Sequence, residues 1–397
     1  MSVNEHGIFS SDIELPAIVQ KKADTAFSMI KKKGTGSMEN FERENLKKKS
    51  KNARTFKKPT AAVAAVCVLA LGGITALAAG YHYWSRSMRG TLQADETQQI
   101  ELVQSGTADI LDTQDKDDVG GAPAEIKEVT VGGVTVKPME IIADSHFAHI
   151  SFSISGYTLG EQVEPSFEHM DAECEGMAAV NAGFYDGIVS DSSGKPVYDD
   201  GTPIKLDDSG AVISYYTDDD GTLEYVMTCI SAYDQTILGK TIHVELENLG
   251  TTYHADHETA VSGKWEFDIP VTEKNSAKTY ALGASVGDSG ATVTTVELSP
   301  ISIKVNYDFQ GKKVTQEGSD KSYTNPPLFC GVRLKDGTML PYLADGGSSG
   351  YTDETAAHYY FMSAFDRVID VDNVDALLFR KADGAPEGDN LCILPLA

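Results

Sequence analysis

GVTVKPMEIIADSHFAHISFSISGY, residues 133–157, decides how this chain folds. Apolar and polar residues alternate with period two through Val134-Thr135-Val136 and again through Ile150-Ser151-Phe152-Ser153-Ile154. That rhythm, carried by β-branched and aromatic side chains, predicts two strands joined by a short break at Asp144-Ser145. A second stretch, ATVTTVELSPISIKVNYDF at 291–309, repeats the plan of strand, short break, strand. Each opens its own run of strand-like segments, which predicts two related domains.

Working outward, GMAAVNAGFY (176–185), AVISYYT (211–217), LEYVMTCISAY (223–233), KTIHVELENL (240–249) and GKWEFDIPV (263–271) read as further strands of the first set. Asp199-Asp200-Gly201, Asp207-Asp208-Ser209-Gly210 and Asp219-Asp220-Gly221 read as turns between them. After Glu273-Lys274-Asn275-Ser276 a second set follows in KTYALGASV, LFCGVRLKDGTMLPYL, HYYFMSAFDRVI and VDALLFRK. No helical-period segment separates the strands, so parallel crossovers are excluded and two antiparallel, immunoglobulin-like β sandwiches are expected, 126–272 and 273–397.

Upstream, TAAVAAVCVLALGGITALAAGYHY at 60–83 carries no Lys, Arg, Asp or Glu. As a helix it would reach about 36 Å, enough to cross a bilayer core of about 30 Å. Lys47, Lys48, Lys49, Lys51, Arg54, Lys57 and Lys58 precede it, and Tyr81, Tyr83 and Trp84 follow at interface depth. The positive-inside rule then puts the N-terminus in the cytoplasm and residues 84–397 outside. Ala76-Leu77-Ala78 resembles a signal cleavage site, but 59 residues precede the run, far more than a signal n-region. A single transmembrane helix is therefore expected, with Gly72, Ala76 and Gly80 as a small-residue ladder through which two copies could pair.

Residues 1–58 hold 13 Lys and Arg against 7 Asp and Glu, a net of +6, so the rest of the chain carries −32 of a total of −26. An outer body this acidic repels phosphate, which excludes nucleic-acid binding by it. Inside the tail, Leu15, Ile18, Val19, Ala23, Phe27 and Ile30 recur at spacings of three and four over 12–33 and predict a short amphipathic helix. That stripe needs a surface to bury against, either anionic membrane lipid or a cytoplasmic protein. Past the span, Asp95-Glu96-Thr97-Gln98 looks like a helix cap, and DTQDKDDVGGAPAE (112–125) reads as an exposed stalk, so 84–125 is expected as an extracellular helix and stalk.

Candidate chemistry is sparse. His254 and His257 are three residues apart with no helix to align them, and the acidic turns lack the alternation of a calcium loop, so no metal or other cofactor is expected. Gly346-Gly347-Ser348-Ser349-Gly350 matches GxSxG literally, yet no strand–turn–helix frame surrounds it. It reads as a Gly/Ser loop between strands, and the chain as a non-enzyme. Cys174, Cys229, Cys330 and Cys392 permit two disulfides in three connectivities, but Cys229 in an apolar strand reads as a buried free thiol, so no particular bridge is expected.

The order of ELPAIVQKKADTAFSMIKKK, basic linker, single apolar span, GVTVKPMEIIADSHFAHISFSISGY, GKWEFDIPV and VELSPISIKVNY resembles a family of membrane-anchored, anti-sigma-factor-like proteins of Gram-positive, Firmicutes-type bacteria. The resemblance implies that the cytoplasmic tail holds an extracytoplasmic-function sigma factor, and that the outer domains meet an envelope ligand. Residues 1–58 contain no cysteine, so the HxxxCxxC zinc site of many anti-sigma domains is absent. The expected function is that of a single-pass membrane sensor or regulator. A structural or adhesive surface protein that uses the span only as an anchor is the alternative.

Overall fold

The decisive stretch folds as an antiparallel hairpin, with Val136 opposite Ile154 and Ile141 opposite Ile150. The computed structural model describes residues 84–111, 126–160, 163–218, 220–253, 256–314 and 322–396. The apolar run 60–83, the amphipathic segment 12–33 and the stalk 112–125 lie outside the described residues. No described helix is long and apolar enough to cross a membrane.

Among the described residues two α-helices come first, α1 (Arg86–Leu92) and α2 (Glu96–Ser105). Eleven strands form the first β body: β1 (Ala108–Ile110), β2 (Val129–Val131), β3 (Val134–Ala143), β4 (Phe147–Ser155), β5 (Glu164–Glu173), β6 (Met177–Phe184), β7 (Ile188–Ser190), β8 (Pro196–Tyr198), β9 (Leu223–Ser231), β10 (Thr241–Tyr253) and β11 (Asp256–Pro270). Eleven more form the second: β12 (Lys278–Ser285), β13 (Thr292–Leu298), β14 (Ser302–Asp308), β15 (Lys313–Val314), β16 (Ser322–Tyr323), β17 (Leu328–Leu334), β18 (Met339–Leu340), β19 (Ala344–Tyr351), β20 (His358–Phe365), β21 (Val374–Arg380) and β22 (Leu391–Pro395). The chain is thus mainly β, and every strand pairing is antiparallel.

The two bodies trace one path twice. In the first, the sheet order is β1-β3-β4-β9-β6 against β11-β10-β5; in the second it is β12-β13-β14-β20-β19 against β18-β17-β21-β22. Each chain path makes a central hairpin (β3–β4, β13–β14) and crosses to the other sheet (β5, β17). It then returns at the edge (β6, β19), pairs inward (β9, β20) and crosses again (β10–β11, β21–β22). Each body closes on its own core. Trp265, Phe152, Ile150, Met227 and Leu246 centre the first. Tyr307, Phe365, Phe379, Val305 and Leu377 centre the second.

Several expectations are corrected. Residues 211–217 are not a strand; the described residues of 188–222 run as successive tight turns joined by β7–β8 and isolated bridges. In three of these turns the Asp at the first position (Asp191, Asp207, Asp218) spends an oxygen on its own loop amides, for example Ser209 N–H and Ala211 N–H to Asp207 at 2.8 and 2.9 Å. Residues 346–350 are not a loop. They lie within β19, an exposed edge strand whose Ser348 hydroxyl meets Tyr360 at 2.9 Å. Gly and Ser carry little strand propensity, so tertiary pairing with β20 decides this segment. Residues 84–111 pack into the body, and the four cysteines of the bodies are free thiols, with Cys229 buried as its apolar strand leads one to expect.

Candidate functional site

The most elaborate constellation of polar groups lies where α1, the first body and the second body meet. β3, β4 and β9 each face a core on one side. On the other side, Glu140, Ser151 and Val226 line up across the three strands, as do Ile142, His149 and Thr228. α1 and α2 cover that second face, which is why β3 alternates in burial at its start but is continuously buried from Glu140 to Ala143.

The first turn of α1 is held entirely by side chains. A helix start leaves its first amides without intrahelical acceptors. Here Ser85 N–H donates to Glu140 Oε1 at 2.9 Å, Arg86 N–H to Glu224 Oε1 at 3.1 Å, and Ser87 N–H to Glu224 Oε2. Met88 N–H donates to Ser85 Oγ at 3.1 Å, and that hydroxyl donates to Glu140 Oε1 at 2.5 Å. Two acidic side chains therefore take up the free amides at the start of α1. Glu140 is fully buried, its Oε2 has no partner, and burial pushes its pKa up to about 7. His149, also buried, is pushed down to about 4 for the same reason.

Outside this pocket the Arg86 guanidinium pairs with Asp199 at 2.7 Å, donates to Tyr215 O at 2.9 Å and lies over the Tyr185 ring. Gly90 lets Tyr185 approach: a Cβ there would fall 1.8 Å from the Tyr185 hydroxyl oxygen. A glycine inside a helix costs about 1 kcal/mol relative to alanine, and this contact explains its presence.

The same helical segment grips the second body. The Gln93 amide donates to Ser190 O of the first body at 2.9 Å and to Asp366 O of the second at 3.1 Å. Val368 N–H donates to Leu92 O at 2.7 Å, and Gln98 Nε2 to Val368 O at 3.0 Å. Trp84, Met88, Leu92 and Leu102 fill a small core with Ile142 from the first body and Ile301 and Val368 from the second. Fully burying such side chains contributes roughly 1.5–3 kcal/mol each.

Beside this strap, the breaks of the two central hairpins dock on each other. Asp144 Oδ1 accepts from His146 N–H and Phe147 N–H, both at 2.9 Å, and its Oδ2 accepts from the hydroxyls of Ser299 and Ser302. His146 Nδ1 lies 3.0 Å from Ser231 Oγ and its Nε2 lies 3.3 Å from Glu297 Oε2. A Ser–His–Glu chain suggests acyl transfer on paper. Ser231 is 0% exposed and donates to Ala232 O, so no substrate carbonyl can reach it. It acts as a clasp between the bodies, reinforced by Phe147 and Ile230 against Met362 and Ala364.

Clefts open elsewhere among the described residues. One of 420 Å³ lies between β17 and β19, with Asp345, Tyr342, Phe361, Cys330 and Arg380 on its walls and Gly194 of the first body at its rim. Another, of 680 Å³, is a shallow acidic groove at Glu173–Met177. Near it, His243, Glu245 and Glu266 place donor atoms within 4.8 Å of one another. The Lys264 ammonium already fills that gap, at 2.8 Å from Glu245 and 2.6 Å from Glu266.

The partner-binding residues expected from sequence, Leu15, Ile18, Val19, Ala23, Phe27 and Ile30, lie outside the described residues, as do Gly72, Ala76 and Gly80. His254 does too, while His257 meets Ser166 Oγ at 2.8 Å. The junction itself has almost no signature in the sequence. Its one local signal is that Glu140 and His149 interrupt the apolar stretches Met139–Ala143 and Phe147–Ile150.

No protein-family model and no curated protein sequence matches the chain. Among solved structures, the crystal structure of the conserved domain protein from Bacillus anthracis is similar at a TM-score of 0.36 and 13% identity, over 67% of this chain and 83% of that one. A likeness of that degree carries no argument about fold or function.

Proposed function

We propose that this chain is a single-pass membrane regulator of the anti-sigma-factor-like kind. In this reading residues 60–83 are the transmembrane helix and the two β bodies are immunoglobulin-like sandwiches facing the envelope. The basic tail contacts a cytoplasmic sigma factor through Leu15, Ile18, Val19, Ala23, Phe27 and Ile30, and the chain is not an enzyme. The observation that supports it is the strap. Residues Trp84–Ser105, which follow the apolar run directly, bond to both bodies through Gln93, Gln98 and Leu92. Any ligand that shifts one body against the other therefore pulls on the chain leading into the apolar run. The repeated strand order supports the sandwich reading, because two related bodies give two faces that can shift against each other.

The test is to recover the tagged full-length chain from membranes and identify what co-purifies. A sigma factor retained by the wild type, and lost from the Ile18→Ala, Phe27→Ala double variant, is the expected result. Equal retention by both, or none by the wild type, rejects the reading. Protease added to intact protoplasts should digest the β bodies and spare the tail.

A further inference from the structure

We propose that α1 is a proton-operated latch, closed on the first β body when the Glu140 carboxyl is neutral and loosened when it ionises. The geometry carries the argument. Glu140 is 0% exposed, and only Ser85, through one amide and one hydroxyl, touches its Oε1. Its Oε2 and the Ser151 hydroxyl opposite it on β4 are both buried with no partner besides each other. Once Oε2 carries a proton it can donate to that hydroxyl.

Among the described residues no cation faces the carboxyl from any packed element. From β9 comes Glu224, a second carboxylate already spent on the amides of Arg86 and Ser87. From β4 comes the neutral imidazole of His149, and from β1 the uncharged Ile110 stands opposite. On α1 the Arg86 guanidinium is turned away to Asp199, and Arg89 is exposed to solvent. An ionised Glu140 is then a buried charge with no counter-ion, a state that proteins avoid by protonation or by opening.

The sign follows. Burial raises the docked pKa to about 7 from an ordinary 4.5. A raised acid pKa means that the docked state holds its proton more tightly than the open state. Latch closure is thus strongest below about pH 4.5 and weakens as pH rises to about 7, after which it is level. His149 titrates in the opposite sense, so its contribution must be cancelled in the measurement.

The experiment compares full-length wild type with Glu140→Gln, in mild detergent, by hydrogen exchange of the Met88–Leu92 amides at pH 5 and pH 8. The amide mimics the neutral acid, and His149 is present in both proteins, so its effect drops out of the ratio. The protection ratio of variant to wild type should rise on the order of a hundredfold from pH 5 to pH 8. An unchanged ratio overturns the latch. Should the variant fail to fold, infrared titration of the wild type serves instead. Loss of a buried protonated-carboxyl band near pH 7, together with loss of Met88–Leu92 protection, supports the latch, and ionisation complete below pH 6 rejects it. The outcome concerns the described residues alone and is independent of what residues 12–33 contact.

Discussion

Glu140 and His149 share one covered sheet face and oppose each other in their response to acid. Burial raises Glu140 to about 7, so its contribution to stability grows as pH falls from 7 toward 4.5. Burial lowers His149 to about 4, so its contribution is complete above 6.5 and is lost as pH falls toward 4. Each shift corresponds to about 3 kcal/mol, and over pH 4.5–6.5 the two nearly cancel. Removing one partner should expose the other. In urea titrations His149→Gln should gain about 3 kcal/mol between pH 6.5 and 4 relative to wild type, and Glu140→Gln should lose a similar amount. Parallel pH profiles for both variants and the wild type would show that neither group is linked to folding.

At the level of elements, α1 is set by its contacts and α2 by its own sequence. α2 has Asp95 accepting from Thr97 and Gln98 amides at 2.8 and 2.9 Å, and Gln98 returning to the Asp95 amide at 3.0 Å. This capping box is legible in the sequence itself, because both of its members lie within four consecutive residues. Asp95→Ala should cost about 1 kcal/mol in chemical denaturation. α1, seven residues long with Gly90 near its middle, is too short to persist alone. Gly90→Ala improves intrinsic helicity by about 1 kcal/mol, yet it should loosen the strap, because the added methyl meets the Tyr185 ring. Faster exchange at Met88–Leu92 in this variant is the expected readout; slower exchange would mean that propensity outweighs packing. β19 makes the same point in reverse, since Gly346–Gly350 forms a strand only because β20 offers it a ladder.

Across the whole molecule, the Asp144 carboxylate and the Trp84–Ser105 strap hold two separate cores together. Asp144→Ala orphans the hydroxyls of Ser299 and Ser302 and the amides of His146 and Phe147. The cost should be about 3–5 kcal/mol. It should fall on the junction rather than on either core, so calorimetry should show one thermal transition for wild type and two for the variant. A single transition shifted to lower temperature would place Asp144 in the stability of one body only. The amino-acid order suffices for the strands with period-two alternation, the internal echo of the two central hairpins, the capped helix and the turns at Asp-rich segments. These depend on residues a few positions apart, whose pattern is complete within each segment. Tertiary packing was needed to decide that the echoed hairpins dock break to break, that Glu140 meets Ser85 across 55 positions, and that Arg86 reaches Asp199. Those contacts join residues far apart in the chain, and their energy comes from burial that no local pattern encodes.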